Sequence, residues 1–288
     1  MRTINIRRMM ILSGVLLLCP ILNTGCARIN DKPAAEVLHL VLAGMAGSDG
    51  VSFEGASSLL LDGNPSPEAE LYYGGTVSDH NKVSLYTLLP DGGIPQTAAQ
   101  AGENKLKSGS AATPAYYTKL EKKNGEWTLL QKDSAAPPDN PLPALNPLRQ
   151  LEDLENLEIE VSEEASAARG TKVLRIELSE PEAGRQLAAE LEGQMEAIRP
   201  DKSSSELKES GKRADALQLL WEQKNKELQQ KLKEVSVQTV YYLKVDTKRN
   251  LPKRLTCTRR VNDPGDRGTV AGGAEEIYLT EVNFYGYR

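Results

Sequence analysis

Hydrophobic and polar residues recur along this chain with two different periods, and each period predicts a different element. Apolar side chains spaced by three and four over residues 34–46 predict an amphipathic helix. From Val51 to Leu59 the alternation has a period of two, which is typical of a half-buried strand. Similar runs predict strands at 70–75, 82–89, 115–120, 126–131, 157–161, 171–178, 237–245, 255–261 and 277–287.

Short polar turns join most of these strand-like runs, which favours antiparallel pairing. The pair Asn124-Gly125 lies between two of them and is a strong hairpin signal. Three further helices are predicted at 146–156, 182–199 and 205–234. Ser179 and Glu182 fit a capping box before the second of these. The chain is therefore predicted to belong to the α+β class.

The long helix at 205–234 has an apolar side with heptad-like spacing. A coiled coil is one interpretation, but the stripe lasts only about two heptads, fewer than such structures usually need. We therefore expect the helices within 182–234 to form an intramolecular hairpin. The predicted apolar side consists of Leu217, Leu220, Trp221, Leu228, Leu232 and Val235.

The first 25 residues have the layout of a secretory signal. Three arginines precede an apolar stretch from Met9 to Leu22, and Thr24-Gly25 stands directly before Cys26. This pattern is similar to a bacterial lipobox and predicts lipid attachment at Cys26, although Asn23 replaces the usual aliphatic residue. The alternatives are an ordinary secretory signal or a transmembrane anchor. The stretch is shorter than the ~20 residues that span a bilayer, and Pro20 interrupts it.

These features predict a signal peptide at 1–25, a lipid-anchored tether at 26–34 and a location on the extracytoplasmic face of the cell membrane. The remaining 263 residues contain 32 Lys and Arg against 40 Asp and Glu, a net charge of −8. This excess argues against nucleic acid as a partner. Cys257 is left without a partner for a disulfide and is predicted to be a small buried side chain.

The residues that usually carry catalysis do not form a recognisable pattern. The two histidines, His39 and His80, are far apart in sequence, so no metal site is predicted. Gly55-Ala-Ser57 lacks the second glycine of a hydrolase elbow. We therefore expect a non-enzymatic protein without a cofactor.

Two segments carry a family resemblance. They are the strand start Val51-Ser-Phe-Glu-Gly55 after the first helix, and the passage from Tyr241 through Asp246 and Leu251-Pro252 to Leu255. Together with the lipobox and the order of elements, they resemble the LolA/LppX-type bacterial envelope lipoproteins. The departures are a loop of roughly 25 residues after Leu89 and the long helices at 182–234.

The resemblance implies one half-barrel domain over residues 35–288, with a helical insertion at about 182–234. Its sheet would be a curled antiparallel sheet, an incomplete β-barrel, with helices covering the concave face. The space between them would hold a lipid or an acyl chain. The residues expected to line that space are Val41, Met45, Phe53, Trp127, Leu243, Leu255 and Cys257.

Two functions remain open at this point. In the first, the protein binds an apolar ligand in its cavity and contacts the membrane through the anchor on Cys26. In the alternative, its own helices fill the cavity, and the protein is a structural or sensing lipoprotein that binds other envelope proteins. The leucine-rich helices within 182–234 favour the alternative, and the order of elements favours the first.

Overall fold

A computed structural model of the chain describes residues 32–88, 116–130, 140–165, 167–200, 211–264 and 275–288. Cys26 and the predicted signal peptide lie outside these ranges, so both stay predictions. The described helices are α1 (Ala34–Ala46), α2 (Pro147–Asp153), α3 (Glu180–Ala197) and α4 (Gly211–Glu234). The strands are β1 (Gly50–Leu61), β2 (Asn64–Pro65), β3 (Leu71–Ser78), β4 (Lys82–Thr87), β5 (Tyr117–Lys123), β6 (Glu126–Leu129), β7 (Ile159–Glu163), β8 (Thr171–Leu178), β9 (Ser236–Asp246), β10 (Leu251–Asn262) and β11 (Glu275–Tyr285).

All these strands belong to one antiparallel sheet with the order β6-β5-β4-β3-β1-β11-β10-β9-β8-β7, and β2 adds to β1. The first and last strands of this order are edges, so the sheet is open and does not close into a barrel. Ten strands laid flat would span ~43 Å between their edges. Helix α2 contacts edge strand β6 through Glu152 and leads into the opposite edge strand β7 after only five residues. The sheet therefore curls, and the predicted fold class is confirmed.

Side chains alternate between two faces of this sheet, which we call the helix face and the outer face. On β1 the helix face contains Val51 and Phe53, which are 3% and 0% exposed, whereas Glu54, the residue after Phe53, is exposed on the outer face. Helix α3 packs mainly on β9, and α1 packs on β10 and β7. One hydrophobic core joins the helix face to α1, α2 and α3.

A close backbone approach fixes α1 on the sheet. A Cβ atom added at Gly44 would stand 2.4 Å from the carbonyl oxygen of Asn250, in the turn between β9 and β10. Only glycine leaves room for that contact. The end of α1 is thereby held against the start of β10, and its apolar side covers that end of the helix face.

The predicted hairpin at Asn124-Gly125 is confirmed, since both residues have positive φ, 53° and 89°, as a two-residue type I′ turn requires. The predicted capping box is wrong. Ser179 precedes α3, but its side chain accepts no capping hydrogen bond, and its hydroxyl instead contacts a carboxylate oxygen of Glu158 at 3.5 Å. Glu158 lies 21 residues before Ser179, so the tertiary structure, and not the local sequence, determines the partner of this hydroxyl.

The predicted apolar side of the long helix is only partly correct. Trp221, Leu228 and Leu232 lie on the less exposed side of α4, whereas Leu217 and Leu220 are 39% and 51% exposed. Trp221 donates a hydrogen bond from Nε1 to the carbonyl oxygen of Met195 on α3, at 2.8 Å. The two helices therefore form the predicted hairpin with a narrower seam than the leucine pattern suggested.

Candidate ligand-binding site

The helix face is covered unevenly along β1 and β11. We call 50–55 of β1 with 282–285 of β11 the packed half, and 57–61 with 276–280 the open half. In the packed half, the rings of Phe53 and Phe284 lie 6.4 Å apart between centroids and are almost fully buried. In the open half, Leu59 is half-buried and Tyr278, its partner across the strands, is 39% exposed. The same face is thus a core at one end and an accessible surface at the other.

The structure brings six of the seven predicted lining residues into one hydrophobic core. Val41, Phe53 and Leu243 are 0% exposed, and Leu255 is 1% exposed. Met45 and Cys257 are also buried in this core. The seventh, Trp127, lies on edge strand β6, is half-buried against the core, and donates a 3.0 Å hydrogen bond from Nε1 to Glu152 of α2. That these seven residues contact a ligand stays a prediction.

Cys257 is buried, as predicted for a small hydrophobic side chain. Burial raises the pKa of its thiol to about 11, although the nearby Arg259 guanidinium partly offsets that effect. The thiolate is the reactive form of cysteine, so this thiol is inert near neutral pH. Cys257 therefore contributes to packing.

A polar cluster lies on the helix face beside the open half, between β9, β10 and α3. Arg259 of β10 donates from Nη1 to Glu190 at 2.7 Å and from Nη2 to Gln186 at 3.3 Å. Gln186 in turn donates from Nε2 to the hydroxyl of Tyr241 at 3.4 Å. Burial raises the pKa of Tyr241 above its ordinary value, so the phenol is neutral near pH 7.

Two polar atoms in this cluster are buried without a hydrogen-bond partner in the described chain. They are Nε of Arg259 and the hydroxyl of Thr239, and Thr239 is 0% exposed. Arg259 and Thr239 pair directly across β10 and β9, so both project onto the helix face. Most buried polar groups in proteins have a hydrogen-bond partner, so two unsatisfied groups on directly paired residues are unusual.

The sequence contains a signal for Arg259. Leu255, Cys257 and Val261 share one face of β10, and a period of two also places Arg259 there. An arginine in an apolar row indicates a paired or functional charge. No local pattern could have identified Gln186 and Glu190 as its partners, because they come from α3, about 70 residues away.

The outer face contains a depression of ≈ 220 Å³, and its two charged lining residues already have partners. Glu54 accepts a 2.9 Å hydrogen bond from Tyr285, and Glu281 pairs with Arg254. The remaining lining residues are Gly55, Ala56, Tyr72, Leu88 and Asn283. This depression therefore offers few free groups for a ligand.

Within the described residues, we find no group of three or more His, Cys, Asp or Glu side chains that could hold a metal ion. His39 is an exposed residue of α1. His80 is bonded to the turn before β1, with Nδ1 2.8 Å from the carbonyl oxygen of Ser48 and Nε2 2.9 Å from Asp49. Among the helices of the described ranges, none is both long and apolar enough to cross a bilayer.

No protein-family model matches the chain, and no curated protein matches it. Solved structures with a likeness to it include a lipovitellin, described in a study of lipid–protein interactions, with 7% identity and a TM-score of 0.36. That match covers 83% of this chain, which spans only 25% of the lipovitellin chain. LprF from Mycobacterium bovis has 9% identity and a TM-score of 0.34, with 89% of this chain and 95% of LprF covered.

A LolA superfamily protein from Nitrosomonas europaea is also among these structures. It shares 7% identity with a TM-score of 0.23, over 90% of this chain and 94% of its own. At TM-scores below 0.5, these likenesses support no statement about the ligand of this chain. The fold described above rests on the strand order and the covered face of the sheet.

Proposed function

We propose that this protein is an extracytoplasmic lipoprotein, anchored to the membrane through Cys26, that binds a lipid or an acyl chain on the helix face of its sheet. The observation that supports this proposal is the uneven cover of that face. A solid core secures the fold at one end, and the open half leaves apolar side chains accessible at the other. Ligand sites typically combine such an apolar wall with a few placed polar groups.

The open half has that composition. Leu59, Leu61 and Tyr278 provide apolar surface, and Leu61 and Tyr278 are 45% and 39% exposed. The polar cluster around Arg259 borders this surface through the direct pairing of Arg259 with Tyr278. The seven predicted lining residues would form the floor and the closed end of the site. Binding of this kind needs shape and apolar contact and no catalytic residue, so we propose a non-enzymatic function.

The two faces of β1 offer a matched test. Leu59 and Leu60 are neighbours, both half-buried, and project onto the helix face and the outer face respectively. The full chain is purified from bacterial membranes and examined by native mass spectrometry for bound lipid. We expect bound lipid in the unchanged protein, a several-fold loss in Leu59→Gln and no loss in Leu60→Gln. Absence of bound lipid from the unchanged protein, or equal loss in both variants, would contradict the proposal.

The anchor is tested separately by growth in radiolabelled palmitate. We expect label on the unchanged chain and none on Cys26→Ala, because lipidation of the mature terminus requires the cysteine sulfur. An unlabelled chain would remove the anchor from the proposal without affecting the ligand site.

A second candidate function is favoured by the helical hairpin of α3 and α4. Leu219, Ile198 and Leu220 are 66%, 61% and 51% exposed on its described parts, which suits contact with another envelope protein. In this version, the protein is structural or sensing. Chemical crosslinking in intact cells should then give a defined partner that Leu219→Gln weakens, whereas Leu60→Gln leaves it unchanged.

A further inference from the structure

The row of side chains that contains Arg259 leads from the open half to a place beneath α3. Leu59 of β1 pairs with Tyr278 of β11, Tyr278 pairs with Arg259 of β10, and Arg259 pairs with Thr239 of β9. Neighbouring strands are ~4.8 Å apart, so Arg259 stands ~10 Å from Leu59 across the sheet. A chain molecule lying on the open half would therefore have one end within reach of Arg259.

The groups at the end of this row are donors that lack acceptors. Arginine has five N–H donors and no acceptor, and Arg259 uses its Nη atoms on Glu190 and Gln186. Its Nε and the hydroxyl of Thr239 are buried without a partner in the described chain. An unsatisfied buried donor is unfavourable, so a ligand that accepts hydrogen bonds from both groups would bind favourably.

The charge of the cluster limits what that ligand can be. Glu190 already neutralises Arg259, and the arginine side chain is the more deeply buried partner, 14% exposed against 38%. The cluster therefore lacks an acceptor rather than a negative charge. A carbonyl oxygen can supply this acceptor, and so can one oxygen of a carboxylate.

We infer that Arg259 and Thr239 form a subsite for the acyl oxygen of the ligand, that is, the carbonyl or carboxylate oxygen at the end of a chain whose apolar part lies over Leu59 and Tyr278. This inference rests on the proposed function and specifies which end of the ligand the protein recognises. A ligand without an oxygen would use the open half alone.

The test compares three ligands that differ in this oxygen. Delipidated full chain, kept in solution by an amphipathic polymer, is titrated with radiolabelled hexadecanoic acid, methyl hexadecanoate and heptadecane, and binding to the polymer alone is subtracted. Thr239→Val removes the hydroxyl and keeps the shape. Arg259→Lys keeps a positive charge beside Glu190 and removes the Nε donor. Thr258→Val, on the outer face of β10, is the matched control.

We expect Thr239→Val and Arg259→Lys each to weaken binding of the oxygen-containing ligands about tenfold, as for one lost hydrogen bond, and to leave heptadecane unchanged. Loss for both oxygen ligands identifies a carbonyl, and loss for the acid alone identifies a carboxylate. The melting temperature of ligand-free Thr239→Val should equal or exceed that of the unchanged protein, because an unsatisfied hydroxyl is replaced by a methyl group.

Two results would overturn the inference in different ways. If all three ligands bind and the variants weaken them equally or not at all, the subsite is wrong and the proposed function stands. If the unchanged protein binds none of the three, the proposed function fails and the subsite fails with it.

Discussion

The packed and open halves of the helix face have the same strands, the same pairing and opposite solvent exposure. Phe53 and Phe284 are buried at one end of β1 and β11, whereas Leu61 and Tyr278 are exposed at the other. The two halves differ because of how α1 covers them. Helix α1 ends against the β9–β10 turn, so it covers the packed half and leaves the open half uncovered. One sheet can therefore secure the fold with one half and leave the other available for a ligand.

The largest expected effect is that of a cavity in the packed half. Phe53→Ala should lower the free energy of unfolding by about 3–5 kcal/mol, because Phe53 is 0% exposed and its neighbours cannot easily close the space. Urea denaturation measures this directly. A loss below about 1 kcal/mol would mean that the two halves do not differ in packing.

Alkaline pH tests how far the packed region extends along β10. The pKa of Cys257 is raised by burial from 9.0 to about 11, so the folded state retains its proton where the unfolded chain loses it. The contribution of this thiol to the free energy of unfolding is fully present below pH ~9. It falls by about 2–3 kcal/mol as the pH rises to 11. Thiolate absorbance and the free energy of unfolding should be measured together across that range. Cys257→Val should reduce this loss, and thiolate formation near pH 9 in the folded protein would show that Cys257 is accessible.

Adjacent glycines on β3 compare the two faces of the sheet. A Cβ at Gly75 would stand 2.3 Å from the Phe53 ring and 2.5 Å from a backbone oxygen of Ser84, so Gly75→Ala should cost about 1–3 kcal/mol. At Gly74 the added atom meets the ring of Tyr86 at 3.0 Å, which can move towards solvent. Gly74→Ala should therefore change stability by less than about 1 kcal/mol. Equal losses of stability for the two variants in thermal unfolding would contradict tighter packing on the helix face than on the outer face.

The smallest effect on stability is expected in the open half. Leu59→Ala should lower the free energy of unfolding by no more than about 1 kcal/mol, because its side chain is half-exposed and leaves no closed cavity. The same substitution should reduce bound lipid. Should the stability loss approach that of Phe53→Ala, Leu59 would belong to the core and the open half would be smaller than described.

Much of this fold could be predicted because its signals are local. A period of two identified the strands, and Asn124-Gly125 determined a hairpin through residues that tolerate positive φ. Spacings of three and four identified α1, whose predicted residues are its bounds in the structure. The apolar rows of α1, β1 and β9 also include Val41, Phe53 and Leu243, which lie together in one buried core.

The amino-acid sequence alone determined which residues face inward, because alternation along a strand depends only on the chain itself. Tertiary structure decided which part of that inward face is covered, since cover depends on where α1 and α3 pack. It also decided the partners of Arg259, which lie on α3, about 70 residues away, and the exposure of Leu217 and Leu220 on α4. Contacts between distant segments leave no periodic trace in the sequence, so the candidate site became visible only when the sheet and helices were assembled.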